Sequence, residues 1–486
     1  MSMATEQSIQ PALAVPNERQ QSEAASLSRA DGVLVLLVVL VAPIVLYLGN
    51  AAPATRLLYP LSNFALAGYL FARRSPWYAA HCLLVFCCVS LVRRLADQQA
   101  GWDPENPVLL TPYLCCLFAG LGFLDYWKRP VPRYIGPFLV LAGGIAYGAA
   151  LAIIQGRMLS TIVDVMKWSV GPLFAVYVLA NHDRIAQMRS VFESCLVWAG
   201  ASMAAYGIAQ FIDPPIWDIT WMRGAAELGL DSIGQPEPFG VRVFSTLNSP
   251  GSLGIVLSAA IVCALKRRLP ASVFTITLMI VGLALCQYRS IWAATVLAVL
   301  MVVLSRKAAV RMSNIVALIV AGLVLCSSAA DPRIREAVAQ RASTLSVLER
   351  DASLQSRLAQ YASLARQDNL VAGQGLAING SVRRLDRELP VHLDGAIIEI
   401  WLALGIVVGT AFLGALAALL VPLFGVAAAP GSDIFYDRAI VITLFLQLPI
   451  GTVHVGELGF CAWTFLGLAL GARLATGIDR AEAQPC

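Results

Sequence analysis

The strongest constraint in this chain is a series of apolar runs, each long enough to cross a lipid bilayer. A membrane-spanning helix needs about 20 mostly apolar residues. Only 13% of the 486 residues are charged, about half the share of a typical soluble domain, so most of the chain is expected to lie in lipid. The runs cover about 32–49, 57–72, 76–93, 107–124, 134–155, 163–181, 190–212, 249–265, 271–286, 290–305, 312–329, 395–424, 438–452 and 456–473. The run 395–424 is long enough to be tilted or to contain a break.

Basic residues alternate along the connections between these runs. If the N-terminus is cytoplasmic, the even-numbered connections hold basic clusters, whereas the short odd-numbered connections are poorer in basic residues. The clusters are Arg73 and Arg74; Lys128, Arg129 and Arg133; Arg184 and Arg189; Lys266, Arg267 and Arg268; Arg306, Lys307 and Arg311; and Arg438. Because basic residues concentrate on the cytoplasmic side, the pattern predicts a multi-pass protein of the bacterial inner membrane with a cytoplasmic N-terminus.

These patterns together predict an all-α polytopic membrane protein with about 12–14 transmembrane helices, since helices satisfy their own backbone groups in lipid. Residues 1–30 are polar and are predicted to be a disordered cytoplasmic tail. Residues 31–486 are predicted to form one transmembrane domain. Its two long connections, about 213–248 and 330–394, are predicted to be periplasmic. Leucines at helical spacing in 352–367 predict an amphipathic helix, and therefore a helical periplasmic cap.

Arginine is concentrated on the predicted periplasmic side, against the usual charge rule. Arg223 and Arg242 lie in the first long connection, and Arg289 lies in a very short turn between two helices. The second long connection contains nine arginines, Arg357 among them, and no lysine. A guanidinium group is a rigid fork that binds phosphate through paired hydrogen bonds. The pattern therefore favours an anionic ligand such as a lipid pyrophosphate; the alternative is pairing with loop carboxylates, although the turn around Arg289 contains no obvious acidic partner.

Histidine is rare, with four in the chain, and two lie on the predicted periplasmic side. His392 stands where the second long connection meets a helix, and His454 lies in the last outside turn. A histidine there can act as a general base or orient a hydroxyl group near neutral pH. The simpler alternative, an interfacial histidine without a catalytic role, stays open for both.

Four segments carry a further pattern: RVFSTLNSPGSLGIVLSAA (Arg242–Ala260), QYRSIWAATVLA (Gln287–Ala298), SRLAQYASLARQDNLVAGQGL (Ser356–Leu376) and VHLDGAIIEIWLALGIVVG (Val391–Gly409). In this order they resemble the O-antigen ligase and O-antigen or exopolysaccharide polymerase superfamily of integral membrane glycosyltransferases. The matched region, 240–425, is under half of the chain. Charge counting places all four segments on or next to the predicted periplasmic side.

The resemblance implies roles for individual residues. Arg242 and Arg289 match positions that bind the pyrophosphate of the lipid carrier, and Arg357 matches a loop arginine that also reaches the donor. His392 matches the general base, or the group that orients the acceptor. These residues would serve a metal-independent displacement that inverts the anomeric carbon and needs no cofactor.

Two departures from the family pattern concern the acceptor side. Asn248-Ser249-Pro250 stands where members often have Asn-Pro-Asn, and Asp394 stands near the usual asparagine after the histidine. Asp394 could assist His392 or cap the following helix. Together with Arg223, Asn248 and Asp394 are therefore candidate substrate-binding residues. The chain also lacks an Asp-x-Asp motif of the kind that holds a metal and a nucleotide sugar, and no metal site is predicted.

Polymerisation of undecaprenyl-pyrophosphate-linked repeat units is the function that the resemblance favours, because FSTLNSP is closer to exopolysaccharide polymerases than to ligases. The expected partners are this donor, a glycan or lipid acceptor, membrane lipid, and a chain-length regulator and flippase; nucleic acid is not expected. One alternative is an O-antigen ligase with lipid A-core as the acceptor. Another is a flippase or transporter of lipid-linked oligosaccharide, which is disfavoured because Glu193, Glu399 and Glu457 lie near helix ends and few other ionisable residues fall inside helices. A structural scaffold is the least specific alternative.

Overall fold

The computed structural model describes most of the chain in separate ranges. These are 28–128, 132–227, 231–267, 272–304, 312–328, 355, 358–362, 370–386, 393, 395–424 and 432–475.

The described residues form a helical bundle, and within these ranges the strand-like features are an isolated bridge between Gly234 and Val241 and a single bridge residue at Gly380. The helices are α1 Ser28–Leu48, α2 Thr55–Ala72, α3 Trp77–Ala100, α4 Thr111–Lys128, α5 Pro132–Ile154, α6 Met158–Ala180, α7 Ile185–Ile212, α8 Ile216–Ala226, α9 Pro250–Lys266, α10 Ser272–Leu285, α11 Arg289–Val303, α12 Met312–Ser328, α13 Ala396–Leu420, α14 Asp433–Phe445 and α15 Gly456–Ala475. A 3₁₀ turn spans Ser381–Asp386.

The lengths and compositions of these helices confirm an all-α polytopic membrane protein. Among the described residues, eight helices are long and apolar enough to cross a membrane: α1, α3, α4, α5, α6, α7, α13 and α15. Four shorter apolar helices are α9, α10, α11 and α12. The number of 12–14 crossings and the orientation in the membrane stay predictions.

Each predicted apolar run coincides with a helix, but the run 438–452 is displaced. The helix there is α14, which begins after Ser432, whose hydroxyl accepts the Phe435 N–H. It ends at Phe445, and turns follow, in keeping with Pro449, which lacks an N–H and disfavours the helical conformation of the residue before it. Residues 446–452, which were predicted to continue the helix, therefore form turns and irregular chain.

Other boundaries differ in smaller ways. Helix α8 lies inside the first long connection, and Leu358–Ala362 is helical within the predicted amphipathic stretch 352–367. The rest of that stretch lies outside the described residues, except Gln355, which is also helical. Helix α1 begins at Ser28, inside the predicted tail, and residues 1–27 lie outside the described residues.

The run 395–424 contains a break. Gly405 in α13 has φ 75° and ψ 168°, a conformation open mainly to glycine. The break frees carbonyl groups, which accept hydrogen bonds from another part of the chain: Gln374 N–H to Leu402 at 2.7 Å, and Gly375 N–H to Ala403 at 2.9 Å. A segment that precedes α13 in the sequence therefore satisfies carbonyl groups that the break leaves without helical partners.

Candidate functional site

Arg242 lies in an irregular segment between α8 and α9, and the main chain around it is fixed. Its N–H donates to the Ile233 carbonyl at 2.9 Å, beside the bridge between Gly234 and Val241. A β-carbon on Gly234, whose φ is +84°, would lie 2.4 Å from the Gly240 carbonyl oxygen. Glycine is therefore needed for this close approach, which sets the position of Arg242.

The Arg242 guanidinium joins two connections. Its Nη1 donates to the Ser232 carbonyl at 2.6 Å, and its Nη2 donates to the Gln287 carbonyl at 3.2 Å. Gln287 lies two residues before Arg289, the half-buried first residue of α11. The structure thus brings Arg242 next to the turn that carries Arg289. We call this end of the bundle the Arg242 end.

A buried ion pair supports the segment Arg242–Asn248. Arg94 of α3 and Asp218 of α8 have fully buried side chains, and Arg94 Nη1 lies 3.0 Å from Asp218 Oδ1. Arg94 also donates to the Ser245 carbonyl at 2.5 Å, and its guanidinium lies 4.9 Å from the centre of the Phe244 ring. The contacts of Arg94 with Ser245 and Phe244 therefore hold the segment in place. Removal of Arg94 or Asp218 alone would leave a buried charge uncompensated.

Asn248 and Arg223 occupy different environments at this end. Asn248 is half-buried at the start of α9, and its side-chain oxygen is buried without a hydrogen-bond partner among the described residues. That oxygen can accept a hydrogen bond from a ligand. Arg223 is exposed on α8, whose Trp221 packs with Phe244 beneath the Arg242 segment. Asn248 is thus close to the Arg242 segment, whereas Arg223 lies at the surface.

The stretch 446–454 connects α14 to α15 along the chain and packs against both α11 and α13. We call it the linking turn. Gln447 Nε2 donates to the carbonyl of Ser290, in the first turn of α11, at 3.3 Å. The Ala396 N–H at the start of α13 donates to the Leu448 carbonyl at 2.9 Å. The turn after Arg289 and the beginning of α13 therefore pack against the same short stretch, which the sequence analysis had assigned mainly to a helix.

Three predicted site residues, His392, Asp394 and Arg357, lie outside the described residues. Gly395, which follows Asp394 in the sequence, is described and is the N-cap of α13. A β-carbon on Gly395 would lie 2.7 Å from the Pro449 carbonyl oxygen. The start of α13 therefore abuts the linking turn.

The Gly-x-Gly pair of the third resembling segment serves main-chain packing. Gly373 and Gly375 have φ values of +85° and +79°. A β-carbon on Gly373 would lie 2.4 Å from the Gly405 nitrogen, and one on Gly375 would lie 2.5 Å from the Ala152 nitrogen. Residues 370–380, which we call the inserted segment, therefore run between α5 and the break in α13, and only glycine allows such contact.

Two charged side chains that the sequence analysis missed hold the inserted segment. Arg157 is 6% exposed and donates to the carbonyls of Leu376 at 2.8 Å and Ala377 at 3.0 Å. Asp164 of α6 is also 6% exposed and accepts the Ala377 N–H at 2.8 Å. A signal existed for both: Arg157 is basic in an odd-numbered connection, and Asp164 is acidic inside an apolar helix.

Ionisable groups inside the helices are more numerous than the sequence analysis assumed. Asp164 and Lys167 lie about 9 and 14 Å along α6 from its first residue, at 1.5 Å per residue. Both interact electrostatically with Glu399, which is 3% exposed in the first turn of α13. The predicted near absence of ionisable groups inside the helices, which counted against a transporter, is therefore wrong.

His454, the second histidine considered, lies in the linking turn and is a weak base. Its ring is 2% exposed and packs edge-on against Trp168, with the ring centres 4.6 Å apart. Neither ring nitrogen has a hydrogen-bond partner among the described residues. Burial lowers the pKa of His454 to about 3, so the ring is neutral near pH 7. His392 is therefore the stronger candidate for a general base.

Comparison with known proteins leaves the family resemblance untested. No family model, no curated protein and no solved structure matches the chain. Within the described ranges, no group of three or more His, Cys, Asp or Glu side chains is arranged to hold a metal ion.

Proposed function

We propose that this chain is a membrane glycosyltransferase that polymerises polysaccharide repeat units from undecaprenyl-pyrophosphate-linked donors at the periplasmic face of the bacterial inner membrane. The observation that carries the proposal is the hydrogen bond from Arg242 to the Gln287 carbonyl, two residues before Arg289. The Arg242 guanidinium thus adjoins the turn that carries Arg289, which belongs to a separate segment, at one end of the bundle. A pyrophosphate is an anion that two such forks bind well.

The proposed reaction is one displacement at the anomeric carbon of the donor. An acceptor hydroxyl oxygen forms a bond to this carbon while the bond from the carbon to the pyrophosphate oxygen breaks, and the electron pair leaves with the pyrophosphate. Arg242 and Arg289 stabilise the charge that develops there. His392 accepts the hydroxyl proton, a role that rests on the family resemblance.

An O-antigen ligase would use the same donor residues with lipid A-core as its acceptor. The acceptor therefore separates the two activities, and the donor site does not.

A transporter of lipid-linked oligosaccharide is a second candidate function, and specific observations favour it. Transporters use broken helices and intramembrane ionisable groups to form substrate sites. Helix α13 is broken at Gly405, and Asp164 and Lys167 lie within α6 and interact electrostatically with Glu399. Movement of lipid-linked glycan across a vesicle bilayer without bond cleavage would support this function.

The test is turnover of a defined undecaprenyl-pyrophosphate glycan by purified protein in lipid. We expect wild type to release carrier pyrophosphate and to lengthen the glycan. Arg242→Ala and Arg289→Ala should each reduce kcat by on the order of 100-fold or more, the scale for loss of one charge-stabilising donor; His392→Ala should also be severely impaired. The control is Arg184→Ala, because Arg184 also donates to a backbone carbonyl, that of Arg74 at 3.0 Å, and lies next to the opposite end of α7.

Each result decides between the candidates. Unchanged turnover in Arg242→Ala and Arg289→Ala would contradict the proposed donor site. Release only after addition of lipid A-core would identify a ligase. No release with any acceptor would exclude both transferase activities and leave the transporter.

A further inference from the structure

Glu457 places a carboxyl group at the Arg242 end of the bundle. It is the half-buried second residue of α15, and its Oε1 accepts a hydrogen bond at 2.8 Å from the hydroxyl of Ser252, in the first turn of α9. Within the described ranges, Glu457 takes part in no ion pair. Near the start of α7, by contrast, each of three carboxyl groups contacts a basic side chain: those of Glu193, Asp433 and Asp437.

The Glu457 carboxyl has room for further hydrogen-bond donors. An ionised carboxyl group only accepts hydrogen bonds, at about four lone-pair positions, and Ser252 supplies one donor. Asn248, four residues before Ser252, adds a side-chain oxygen that is buried without a partner among the described residues. No metal-binding group of His, Cys, Asp or Glu occurs in the described part of the chain. Hydroxyl groups, which sugars carry in number, are therefore the donors that suit these oxygens.

Tyr113 brings a third polar group to the first turn of α15. A β-carbon on Gly456 would lie 3.4 Å from the Tyr113 hydroxyl oxygen. Phe86 of α3 packs edge-on against the Tyr113 ring, with the ring centres 5.6 Å apart, and its ring centre lies 4.9 Å from that of Phe460 in α15. The starts of α4 and α15 are thus held together, and the Tyr113 hydroxyl lies at the turn that carries Glu457.

One turn of α9 lies between Glu457 and the turn that carries Arg289. A β-carbon on Gly251 would lie 3.4 Å from the ring of Tyr288, which is the N-cap of α11 directly before Arg289. The next residue of α9, Ser252, binds Glu457. An α-helix with its side chains is about 10–12 Å across, so a pyrophosphate at Arg289 lies roughly this far from Glu457. The donor sugar is bonded directly to that pyrophosphate and extends from it.

We propose that Glu457, held by Ser252, accepts hydrogen bonds from hydroxyl groups of the donor sugar and thereby forms a sugar subsite beside the pyrophosphate site. The proposal rests on the proposed transferase function, which supplies a sugar-bearing pyrophosphate. It also explains how loaded and spent carriers are told apart. After transfer the carrier pyrophosphate has no sugar to bind Glu457, and the carboxylate repels it, which favours release of the spent carrier.

The decisive measurement is binding of two lipids to purified protein in lipid, by rapid mixing before turnover. One is the defined undecaprenyl-pyrophosphate glycan, and the other is undecaprenyl pyrophosphate without sugar. The nearly isosteric Glu457→Gln should weaken binding of the glycan lipid by about 10- to 100-fold, the scale of a lost hydrogen bond to a charged group. Binding of the bare carrier should stay unchanged or tighten by up to about twofold, because a like charge roughly 10 Å away is removed.

Two further variants test the contacts of Glu457. Ser252→Ala keeps the carboxyl group but removes the hydroxyl that holds it, so the glycan lipid should bind about 2- to 10-fold more weakly. The matched control is Asp31→Asn, because the Asp31 carboxyl is 5% exposed and also accepts a serine hydroxyl, that of Ser75 at 2.6 Å. Ser75 precedes the start of α3, at the opposite end of that helix from Arg94. The control should leave the preference for the glycan lipid unchanged.

Three results would overturn the sugar subsite: a wild type that binds the two lipids equally, an equal loss of both lipids in Glu457→Gln, or a lost preference in Asp31→Asn. Arg289→Ala separates the subsite from the proposed function, since it should weaken binding of both lipids. If Arg289→Ala weakened neither, or wild type showed no turnover, the proposed donor site or the transferase would fail. A glycan preference that Glu457→Gln abolishes would still support the sugar subsite.

Discussion

The two ends of α7 hold their arginines in different ways. Near the start of α7, Arg189 contacts Asp433 at 2.8 Å and Asp437 at 2.5 Å, while Lys266 contacts Glu193 at 2.7 Å and Asp433 at 2.6 Å. We call this the Arg189 end. Near the other end of α7, Arg242 donates to the neutral carbonyls of Ser232 and Gln287. One end fixes cations with carboxylates, and the other orients a guanidinium with main-chain dipoles.

This difference is the one expected between an arginine that stabilises the fold and an arginine that belongs to the proposed pyrophosphate site. Carboxylates compensate the charges of Arg189 and Lys266 at that end, and removal of one partner would leave a buried charge uncompensated. The carbonyl contacts of Arg242 fix the orientation of its guanidinium group beside the turn that carries Arg289. A guanidinium held in this way suits attraction of an anion, in line with the proposed pyrophosphate site.

The largest effect on stability should come from breaking the Arg189 end. Arg189→Ala would leave the Asp437 carboxylate, which is 1% exposed, without its partner, and the unfolding free energy should fall by about 3–5 kcal/mol. Arg242→Ala removes hydrogen bonds to two neutral carbonyls, and we expect a loss of about 1–2 kcal/mol. Denaturant unfolding in one detergent measures both, with Arg184→Ala as the control. Equal losses for the two arginines would contradict the distinction between the ends.

A second comparison concerns the main-chain contacts at the break in α13. A β-carbon at Gly405 would lie 2.2 Å from the Val371 carbonyl oxygen, whereas a β-carbon at Gly414 in the same helix meets no atom within 4 Å. Gly405→Ala should therefore lower the unfolding free energy by about 1–3 kcal/mol or more. Gly414→Ala should raise it by about 0.5–1 kcal/mol, because alanine favours a helix interior. If both variants shifted stability in the same direction, the break would not be a constraint on the fold.

The smallest effect concerns Asp386, at the end of the 3₁₀ turn that follows the inserted segment. Partial burial acts to raise its pKa, but hydrogen bonds from the Ser160 hydroxyl and the N–H groups of Ser160 and Leu159 outweigh it and hold the pKa below the ordinary value of 3.8. These groups belong to the first turn of α6, where a carboxylate is favourable.

A carboxylate with a lowered pKa contributes stability above its unfolded pKa of about 3.9, and this contribution is lost as pH falls through the folded pKa. Asp386→Asn should therefore reduce the loss of stability between about pH 4 and pH 2, with a change below about 1 kcal/mol at pH 7. Thermal unfolding across this pH range provides the measurement. An identical pH profile for the variant would show that the contact with α6 is unimportant.

Local sequence signals predicted the helices well and their connections poorly. Apolar length and the alternation of basic residues depend on neighbours in the chain. These signals predicted where α3 and α15 begin to within about one residue, although α3 extends to Ala100, beyond the predicted run. The linking turn was assigned mainly to a helix because apolar residues continue into it, although Pro449 and Gly451 both disfavour a helix. Gly-x-Gly was recognised as a motif, but its contact with Gly405 depends on residues about 30 positions away.

The amino-acid sequence by itself determined an all-α membrane protein, since bilayer-length apolar runs can satisfy their backbone groups only as helices. It also marked Arg242, Arg289 and His392 as candidates, because charge in an apolar chain stands out. Only the tertiary structure decided that Arg242 adjoins the turn before Arg289, and that Arg157 and Asp164 hold the inserted segment. These partners are distant in sequence, and their hydrogen bonds form only after the broken α13 and the inserted segment have packed together.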